Sequence, residues 1–366
     1  MTVITAEERV AFQDAARRLM ADHSTEADVR RTMETSEGYD PSLWKQLAEI
    51  GIIGLAIPED FGGVGAGPVE LELVMEEAGA ALLCSPLLSS GVLAAGLLKA
   101  TGDADAQERL LPAIADGTTI ATVALTGPAG TWTADGVAVT SADGVLTGEA
   151  DFVTHGQVAG LLLVLARDAD GLSIYEVDAK AAGVAISALP AFDRTLRLAK
   201  IAFDGAKGRK ISSNRPAWAC VEDALNLARV ALAGEQAGGG KKVVEFTVDY
   251  VKNRIQFGRA IGSFQAVKHM AADILLESES AVSAARAAAK ALADGAPDAD
   301  AQVSLAAFAC ADAYSFITAT AIQMHGGIAF TWAHPAHLYL RRARSAAQLF
   351  GAPAYYRERY IQQLGG

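Results

Sequence analysis

The spacing of apolar residues changes twice along this chain, and no other feature constrains the fold as strongly. From Ala6 to about Ala115 the apolar positions recur at helical intervals. From about Thr118 to Ala206 they recur at every second position, and from Ser213 onward the helical spacing returns. No long helical pattern interrupts the middle stretch, so its strands do not belong to the βαβ units of a Rossmann fold.

This order predicts three domains in a mainly helical α+β protein. They are an N-terminal helical domain at 1–117, a middle antiparallel β-barrel or sandwich domain at 118–212, and a C-terminal four-helix bundle at 213–366. A chain of 366 residues is long enough for two or three domains and can bury a large core.

Shorter patterns predict individual elements. The spacing predicts a helix over Glu70–Ala81, and two successive helices at Trp218–Ala237 and Val243–Arg254. Asp143-Gly144, between short apolar runs, predicts the turn of a hairpin. The other strands are predicted at 119–125, 161–166, 172–177, 184–189 and 198–203.

Composition excludes several classes of protein. A net charge of −12 argues against a nucleic-acid partner, because phosphate binding needs clustered cations. The three cysteines, Cys84, Cys220 and Cys310, are too far apart in sequence for a zinc motif or a disulfide framework. The N-terminus is a charged amphipathic helix without a signal-peptide core, and the apolar runs at 80–98 and 158–166 are interrupted or too short to span a bilayer. We expect a cytoplasmic chain with no membrane partner.

The segment Arg254–Gln265, Arg-Ile-Gln-Phe-Gly-Arg-Ala-Ile-Gly-Ser-Phe-Gln, closes one helix, turns at glycine and opens another. A planar, permanently charged guanidinium beside exposed backbone N–H groups suits a pyrophosphate. An ordinary turn between two helices, with a capping arginine, fits the same spacing. The residues alone leave both interpretations open.

Two segments together resemble the signatures of a known family. Arg254–Gln265 resembles the Arg-x-Gln-Phe-Gly-x-x-Ile-x-x-x-Gln signature of acyl-CoA dehydrogenases. Gln323–Phe330 resembles their Gln-x-x-Gly-Gly-x-Gly-[Phe/Tyr] signature, with Ala329 in place of the last glycine. The outline of helices, strands and helices matches over the whole chain. The run Ala329–Leu340 most resembles subunits of actinobacterial heteromeric enzymes of the steroid side-chain type.

The resemblance implies an FAD whose ADP half is held across a subunit interface. The residues that it assigns to this cofactor are Arg254, Gln256, Phe257, Ile261, Gln265, Gln323, Gly326 and Gly327. By resemblance, Arg254 pairs with the pyrophosphate, Gln256 and Phe257 line it, and Ile261 and Gln265 support the turn. Gln323 and the glycine pair contact the adenosine side, where glycine allows close backbone approach. A helix cap at Gln323 and a helix stop at the glycines are the structural alternatives.

The segments that hold the flavin ring in the family are reduced here. The family's Leu-Thr-Glu-Pro-x-x-Gly-Ser-Asp reads Leu-Thr-Gly-Pro-Ala-Gly-Thr-Trp, which keeps Thr126 but lacks the Glu and the Ser-Asp pair. The family's Trp-Ile-Thr reads Phe152-Val153-Thr154. The resemblance therefore implies an incomplete ring pocket in this chain.

The family removes the α-proton of an acyl-CoA with a glutamate while the flavin takes the β-hydride. Alignment with the two family positions of that glutamate places Phe350 at one and Ala228 at the other. Glu235 lies two turns beyond Ala228, roughly 10 Å along a helix, and Glu222 is offset by about 9 Å. We therefore assign no catalytic residue to this chain.

Histidines and arginines near the C-terminus suggest further interpretations. His334 and His337 stand at a predicted helix start, where they could cap the helix, pack at an interface, bind a metal or act as acid/base groups. No third ligand is evident, so no metal site is predicted. Arg341, Arg342 and Arg344 could meet an anion such as a CoA phosphate or form a solvated or intersubunit helix face.

The resulting hypothesis is a subunit of a heteromeric (α2β2), FAD-dependent acyl-CoA dehydrogenase acting on a CoA thioester, as in the steroid side-chain type. Its partner is a second acyl-CoA dehydrogenase chain that carries the glutamate. An electron-transfer flavoprotein or similar acceptor takes the electrons. Two alternatives stay open: a self-sufficient homotetramer with its base elsewhere, and a flavin-free structural subunit.

Overall fold

The computed structural model describes residues 4–365, apart from the Ala6 side chain. Residues 1–3 of the predicted N-terminal helix, and Gly366, lie outside it. The helices are α1 (Ala6–His23), α2 (Glu26–Thr32), α3 (Pro41–Glu49), α4 (Pro68–Ala80), α5 (Ala95–Thr101), α6 (Ala104–Ala115), α7 (Ala217–Asn253), α8 (Gln265–Asp294), α9 (Ala299–His325), α10 (Ala336–Ala346) and α11 (Pro353–Gln363). The strands are β1 (Ala121–Ala124), β2 (Thr140–Ala142), β3 (Val145–Thr154), β4 (Leu161–Asp168), β5 (Gly171–Asp178), β6 (Val184–Ala188), β7 (Leu198–Lys207), β8 (Arg209–Ile211), β9 (Ile255–Gln256) and β10 (Arg259–Ala260). The predicted order and fold class are confirmed.

The described chain divides into two compact units, and the division falls inside α7. The first unit contains Arg31–Gly67 and Cys84–Ala228. The second unit contains Ala6–Arg30, Pro68–Leu83 and the residues from Arg229 onward. The boundaries of the three sequence domains stay a prediction.

The sheet of the first unit has the strand order β6-β7-β3-β2-β4-β5-β8, with β1 added on β4. Asp143 and Gly144 have φ of 51° and 79° and form the predicted hairpin turn between β2 and β3. The sheet is mixed, whereas the sequence predicted a wholly antiparallel one. Along the chain, the β2–β3 hairpin lies between β1 and β4. Strand β1 runs parallel to β4, with Ala121 opposite Leu161. β8 was missed, because a strand of three residues is too short to show a period.

The core of the sheet comes from its alternating apolar side chains. On β4, Leu162, Val164 and Ala166 are fully buried, and they belong to one cluster with Tyr175 of β5 and Phe203 of β7. The other face of β4 is buried as well, since Leu161, Leu163 and Leu165 are at most 8% exposed.

Helix α7 corrects the prediction of two successive helices, because it is continuous over 37 residues. Gly238, Gly239 and Gly240 lie between the two predicted helices. In the structure Gly238 lies at a close helix crossing, where a Cβ would lie 1.8 Å from the carbonyl oxygen of Glu76 on α4, while Gly239 and Gly240 face Tyr314 and Ile317 of α9. Across the same crossing, a Cβ at Gly79 would lie 1.8 Å from the carbonyl oxygen of Glu235. The glycines permit backbone contact between α4 and α7.

Within the described residues, one helical stretch, Ala299–Phe330, is long and apolar enough to cross a membrane. It includes α9, which packs against α8, α10 and α11 in the second unit. Core helices of globular proteins show the same composition.

Candidate functional site

The first signature forms a hairpin that projects from the second unit. Strand β9 pairs antiparallel with β10, so that Ile255 faces Ala260. The two turn residues, Phe257 and Gly258, have φ of 54° and 78°. Positive φ at both positions is the geometry of a two-residue hairpin turn, which matches the twist of the strands. The predicted glycine turn is therefore a hairpin tip, and the Phe257 side chain on it is 91% exposed.

Four polar side chains that the resemblance assigns to FAD are exposed on this hairpin and beside it: Arg254, Gln256, Gln265 and Gln323. None of them forms a side-chain hydrogen bond or an ion pair with any residue between Ile4 and Gly365. The Arg254 guanidinium therefore keeps its planar fork of donors free for an anion.

Backbone and ring contacts hold the hairpin in place. The N–H of Ile261 donates to the carbonyl oxygen of Arg254 at 2.8 Å, which closes the base of the hairpin. The Arg259 guanidinium lies 4.0 Å above the Phe264 ring, and the Phe257 ring meets Phe264 edge-on at 6.2 Å. Arg259 is thus used for packing.

The second signature forms the end of α9 and the turn after it. The N–H of Gly326, at φ 66°, donates to the carbonyl oxygen of Gln323. A Cβ at Gly326 or Gly327 would meet no atom within 4 Å. The helix stop expected as an alternative is present. The open space beside both glycines also leaves room for a ligand to approach the backbone.

Tyr250 joins the two signatures. Its carbonyl oxygen accepts from the N–H of Arg254 at 2.8 Å, and its hydroxyl donates to the carbonyl oxygen of His325 at 3.3 Å. Its ring stacks on the His325 ring, with centroids 4.4 Å apart. The structure thus brings the base of the hairpin and the glycine turn to one place in the second unit.

The buried His325 and the half-buried His334 form a pair next to this junction. Their ring centroids are 4.5 Å apart, and the Phe246 ring lies against both. Burial lowers the pKa of His325, and His334 lowers it further. The Nδ1 of His325 lies 2.8 Å from the carbonyl oxygen of Ala321, which can only accept, so this nitrogen carries the proton. Its Nε2 is then an unprotonated atom, buried without a hydrogen-bond partner.

The capping interpretation of the histidines is confirmed for His334. Its Nδ1 accepts from the N–H of Ala336 at 3.2 Å, in the first turn of α10. His337 caps nothing and packs edge-on against the Trp332 ring at 4.6 Å. Burial lowers the pKa of both imidazoles. The described residues contain no group of three His, Cys, Asp or Glu side chains able to hold a metal.

The three arginines of α10 do not share one exposed face. Arg342 is buried and pairs with Glu235 at 2.7 Å, and its guanidinium also donates to the carbonyl oxygen of Leu83. Arg344 is exposed, and Arg341 lies 5.4 Å above the Trp332 ring. The idea of a three-arginine patch was wrong, because a helix turns consecutive residues in different directions.

Both positions aligned with the family's glutamate are apolar and closed. Ala228 and Phe350 are fully buried. The Tyr356 hydroxyl donates to the carbonyl oxygen of Phe350 and accepts from Nε of Arg229 at 2.7 Å. Glu235 is held by Arg342, so its carboxylate is already committed to an ion pair.

The segment aligned with the flavin-ring pocket lies in the first unit. The buried Thr126 hydroxyl donates to the carbonyl oxygen of Asp151 at 2.5 Å. The Phe152 ring covers the turn at Gly130, because a Cβ there would lie 3.1 Å from the ring. The hydroxyl proton of Thr126 is thereby used within the chain.

Sequence reasoning missed Tyr250, which links the signatures to each other, and Phe246, which packs on His325 and His334. Both lie on α7, and Tyr250 is four residues before Arg254, on the same helix face. That spacing was the available signal. Phe246 adds one further turn to the same stripe.

The fold and these segments define the class of protein, and sequence comparisons agree. The model of the acyl-CoA dehydrogenase N-terminal domain matches residues 6–118, and that of the C-terminal domain matches residues 218–364. The chain is 33% identical over 350 residues to the acyl-CoA dehydrogenase IpdE2 of Mycolicibacterium smegmatis, covering 95% of this chain and 96% of the relative. It is 35% identical to IpdE2 of Mycobacterium tuberculosis, covering 95% and 94%. The chain belongs to the acyl-CoA dehydrogenase family.

Solved structures show the same fold over the full length. The ChsE4–ChsE5 complex from Mycobacterium tuberculosis has a TM-score of 0.90 and 28% identity, covering 100% of this chain and 99% of that one. A variant of the Tcur3481–Tcur3483 steroid acyl-CoA dehydrogenase has a TM-score of 0.88 and 29% identity, covering 98% of both chains.

Proposed function

We propose that this chain is the FAD-lending subunit of a heteromeric acyl-CoA dehydrogenase. Its hairpin and its glycine turn hold the ADP half of an FAD whose ring and catalytic glutamate belong to a second acyl-CoA dehydrogenase chain. The observation that carries the proposal is the unpaired Arg254 guanidinium on a projecting hairpin, joined through Tyr250 to an open glycine turn.

The residues of the two signatures fit the chemistry of an ADP moiety. Arg254 supplies a bidentate cation for the pyrophosphate, and the amides of Gln256 and Gln323 supply neutral donors and acceptors. Gly326 and Gly327 leave their backbone open on one side. The exposed Phe257 ring offers a flat apolar surface beside them.

This chain's own residues do not complete the reaction. When bound, FAD supplies the acceptor for the β-hydride of the acyl-CoA thioester. The α-proton needs a carboxylate, whereas the methyl group of Ala228 and the ring of Phe350 cannot accept a proton. We therefore place that glutamate on the partner chain, in an α2β2 assembly.

The substrate and the electron acceptor are proposed from the relatives. One structural neighbour is described as a steroid acyl-CoA dehydrogenase and another as a two-component complex, and both exceed 25% identity. We propose a steroid side-chain CoA thioester as substrate, an electron-transfer flavoprotein or similar acceptor, and a cytoplasmic location.

An Arg254→Ala variant tests the proposal. Coexpressed with its partner chain, it should lose FAD affinity by roughly tenfold to a hundredfold, since a hydrogen bond to a charged group contributes about 1.5–3 kcal/mol. FAD released per complex would be measured by absorbance after ultrafiltration. Arg259→Ala is the matched control, because it removes the same charge from the same hairpin but from an arginine that packs on Phe264. Unchanged FAD content in Arg254→Ala, with the complex intact, would show a flavin-free structural role instead.

A further inference from the structure

The second unit contains a cavity that takes no part in the proposed function. Its volume is about 640 Å³, within the range of small-molecule sites. It is lined by α1, α2, the C-terminal half of α4, one face of α7 and the start of α10. The lining includes none of the residues assigned to FAD and neither of the two positions aligned with the family's catalytic glutamate.

The inner wall of the cavity is apolar. It is formed by aliphatic and aromatic side chains, among them Met20, Val29, Leu338 and Phe246. The polar atoms at this wall are satisfied internally: the Tyr339 hydroxyl donates to the carbonyl oxygen of Ala80 at 2.7 Å, and burial raises the pKa of Tyr339. An apolar wall with satisfied polar atoms favours an apolar ligand body.

Carboxylates at the cavity are paired within the chain. Glu76 accepts from Lys241 at 3.1 Å and from Arg286 on α8. Glu77 accepts from Arg17 at 2.9 Å and also from Gln13. These pairs leave the two glutamates with little capacity to bind a cationic ligand.

The two lysine ammonium groups at the rim of the cavity form fewer hydrogen bonds than they can donate. Lys241 and Lys242 follow one another on α7 and both line the cavity. Each ammonium has three N–H donors, yet Lys241 contacts Glu76, and Lys242 contacts Glu245 in an exposed pair at 2.9 Å. The exposed Lys242–Glu245 pair contributes little to stability, so a ligand can displace it, whereas the carboxylate paired with Lys241 is buried. Four glutamates line the cavity, and Glu26 among them pairs with Arg30, so the capacity left at the rim is that of the remaining ammonium N–H donors.

We propose that this cavity is a second binding site, which takes an amphiphilic carboxylate with its apolar body against Phe246 and its carboxylate on Lys241 and Lys242. Phe246 also packs on His325 at 5.7 Å, next to the FAD-lending segments. A ligand seated on Phe246 thus touches the same packing cluster as the glycine turn. The site itself does not depend on the FAD proposal.

Calorimetric titration of the full chain, in the assembly in which it purifies, tests the site. The probe is dodecanoate below its micelle concentration, with dodecanol and dodecyltrimethylammonium as head-group controls. We expect one dodecanoate per chain, bound at least about tenfold more tightly than either control, because the carboxylate gains charge-assisted hydrogen bonds. No binding, or equal binding of the alcohol or the ammonium, would overturn the proposal.

Variants place the bound probe in this cavity rather than in an acyl-CoA channel. Ala21→Trp fills the cavity from the exposed side of α1 and should abolish binding, whereas Ala15→Trp, on the same helix outside the cavity, should not. Lys242→Gln should weaken dodecanoate severalfold and leave dodecanol unchanged. Glu245→Gln should tighten dodecanoate, since it removes the competing carboxylate. Retained binding in Ala21→Trp would overturn the assignment of the probe to this cavity. The titration does not measure FAD content, so that result would leave the FAD proposal unchanged.

Discussion

His325 shows how one side chain couples the two signature segments. It ends α9, stacks on Tyr250 and lies against His334, so it touches both the glycine turn and the helix that leads into the hairpin. Its proton is fixed on Nδ1 by the carbonyl oxygen of Ala321, and Nε2 is buried without a partner. Protonation of Nε2 would bury a positive charge next to a second imidazole, which is costly in a low-dielectric interior.

The sign of the resulting pH dependence follows from the lowered pKa of His325. In the unfolded chain the imidazole has its ordinary pKa of 6.5, so below that pH the unfolded state binds more protons than the folded state. The stability due to the neutral imidazole is fully present above pH 6.5 and is lost as the pH falls from there through the folded pKa.

The free energy of unfolding of the native chain should fall as the pH is lowered from about 7.5 to about 5.5. We expect this fall to be smaller in His325→Phe. Phenylalanine keeps the ring contacts with Tyr250 and Phe246 but cannot titrate. Urea unfolding at both pH values measures the loss. His269→Phe, at an exposed histidine of α8, is the control and should leave the loss unchanged. An equal pH dependence in His325→Phe and the native chain would contradict this assignment.

At the scale of elements, the crossing of α4 and α7 accounts for Gly238 in the interior of a continuous helix. Gly238 and Gly79 lie where each backbone touches the carbonyl oxygen of the other helix. Glycine weakens a helix by about 1 kcal/mol relative to alanine. Close packing of the two backbones outweighs this cost, and a side chain on either glycine cannot fit.

Gly238→Ala should lower the free energy of unfolding by about 3 kcal/mol, the upper part of the range for overpacked cores, despite the better helix propensity of alanine. Gly96→Ala, in α5, is the matched control, because the atoms nearest to a Cβ at this position lie 3.4 Å or more away. This control should be unchanged or stabilised by up to about 1 kcal/mol. Thermal and urea unfolding compare the two. A stable Gly238→Ala protein would mean that α4 and α7 do not approach this closely.

At the scale of the whole molecule, the chain carries large apolar side chains on its surface around the two signatures. Phe257, Phe330 and Trp332 are 91%, 80% and 53% exposed. Large exposed apolar side chains mark interaction surfaces when they form patches, and aromatic residues are enriched at the centres of protein interfaces. Phe257 shares its hairpin with Arg254, whose side chain has no partner among the described residues, which fits a surface completed by another chain.

The proposed assembly predicts the flavin content. Expressed alone, the chain should carry little FAD, and coexpressed with its partner it should form a complex with one FAD per two chains. Absorbance at the flavin band and the native mass measure both quantities. One FAD per chain in a homotetramer formed without any partner would contradict the lending role and favour a self-sufficient enzyme whose base lies elsewhere.

The fold class and most of the strands could be predicted, because local periodicity records which face of an element is buried. β4, β5, β6 and β7 begin within a residue of their predicted positions, and the Asp143-Gly144 turn is where the pattern placed it. The two signature segments were likewise visible as residue patterns. Whether their residues bind FAD stays a prediction.

The amino-acid sequence by itself determined the succession of helices and strands, the family and the segments that carry its signatures, because each is encoded in residues close together along the chain. Only the tertiary structure decided that α7 continues through its glycines, that β1 runs parallel to β4, that Arg342 is consumed by Glu235, and that Tyr250 and His325 join the signatures. These features depend on groups far apart in sequence, whose backbones and charges meet only when the chain has folded.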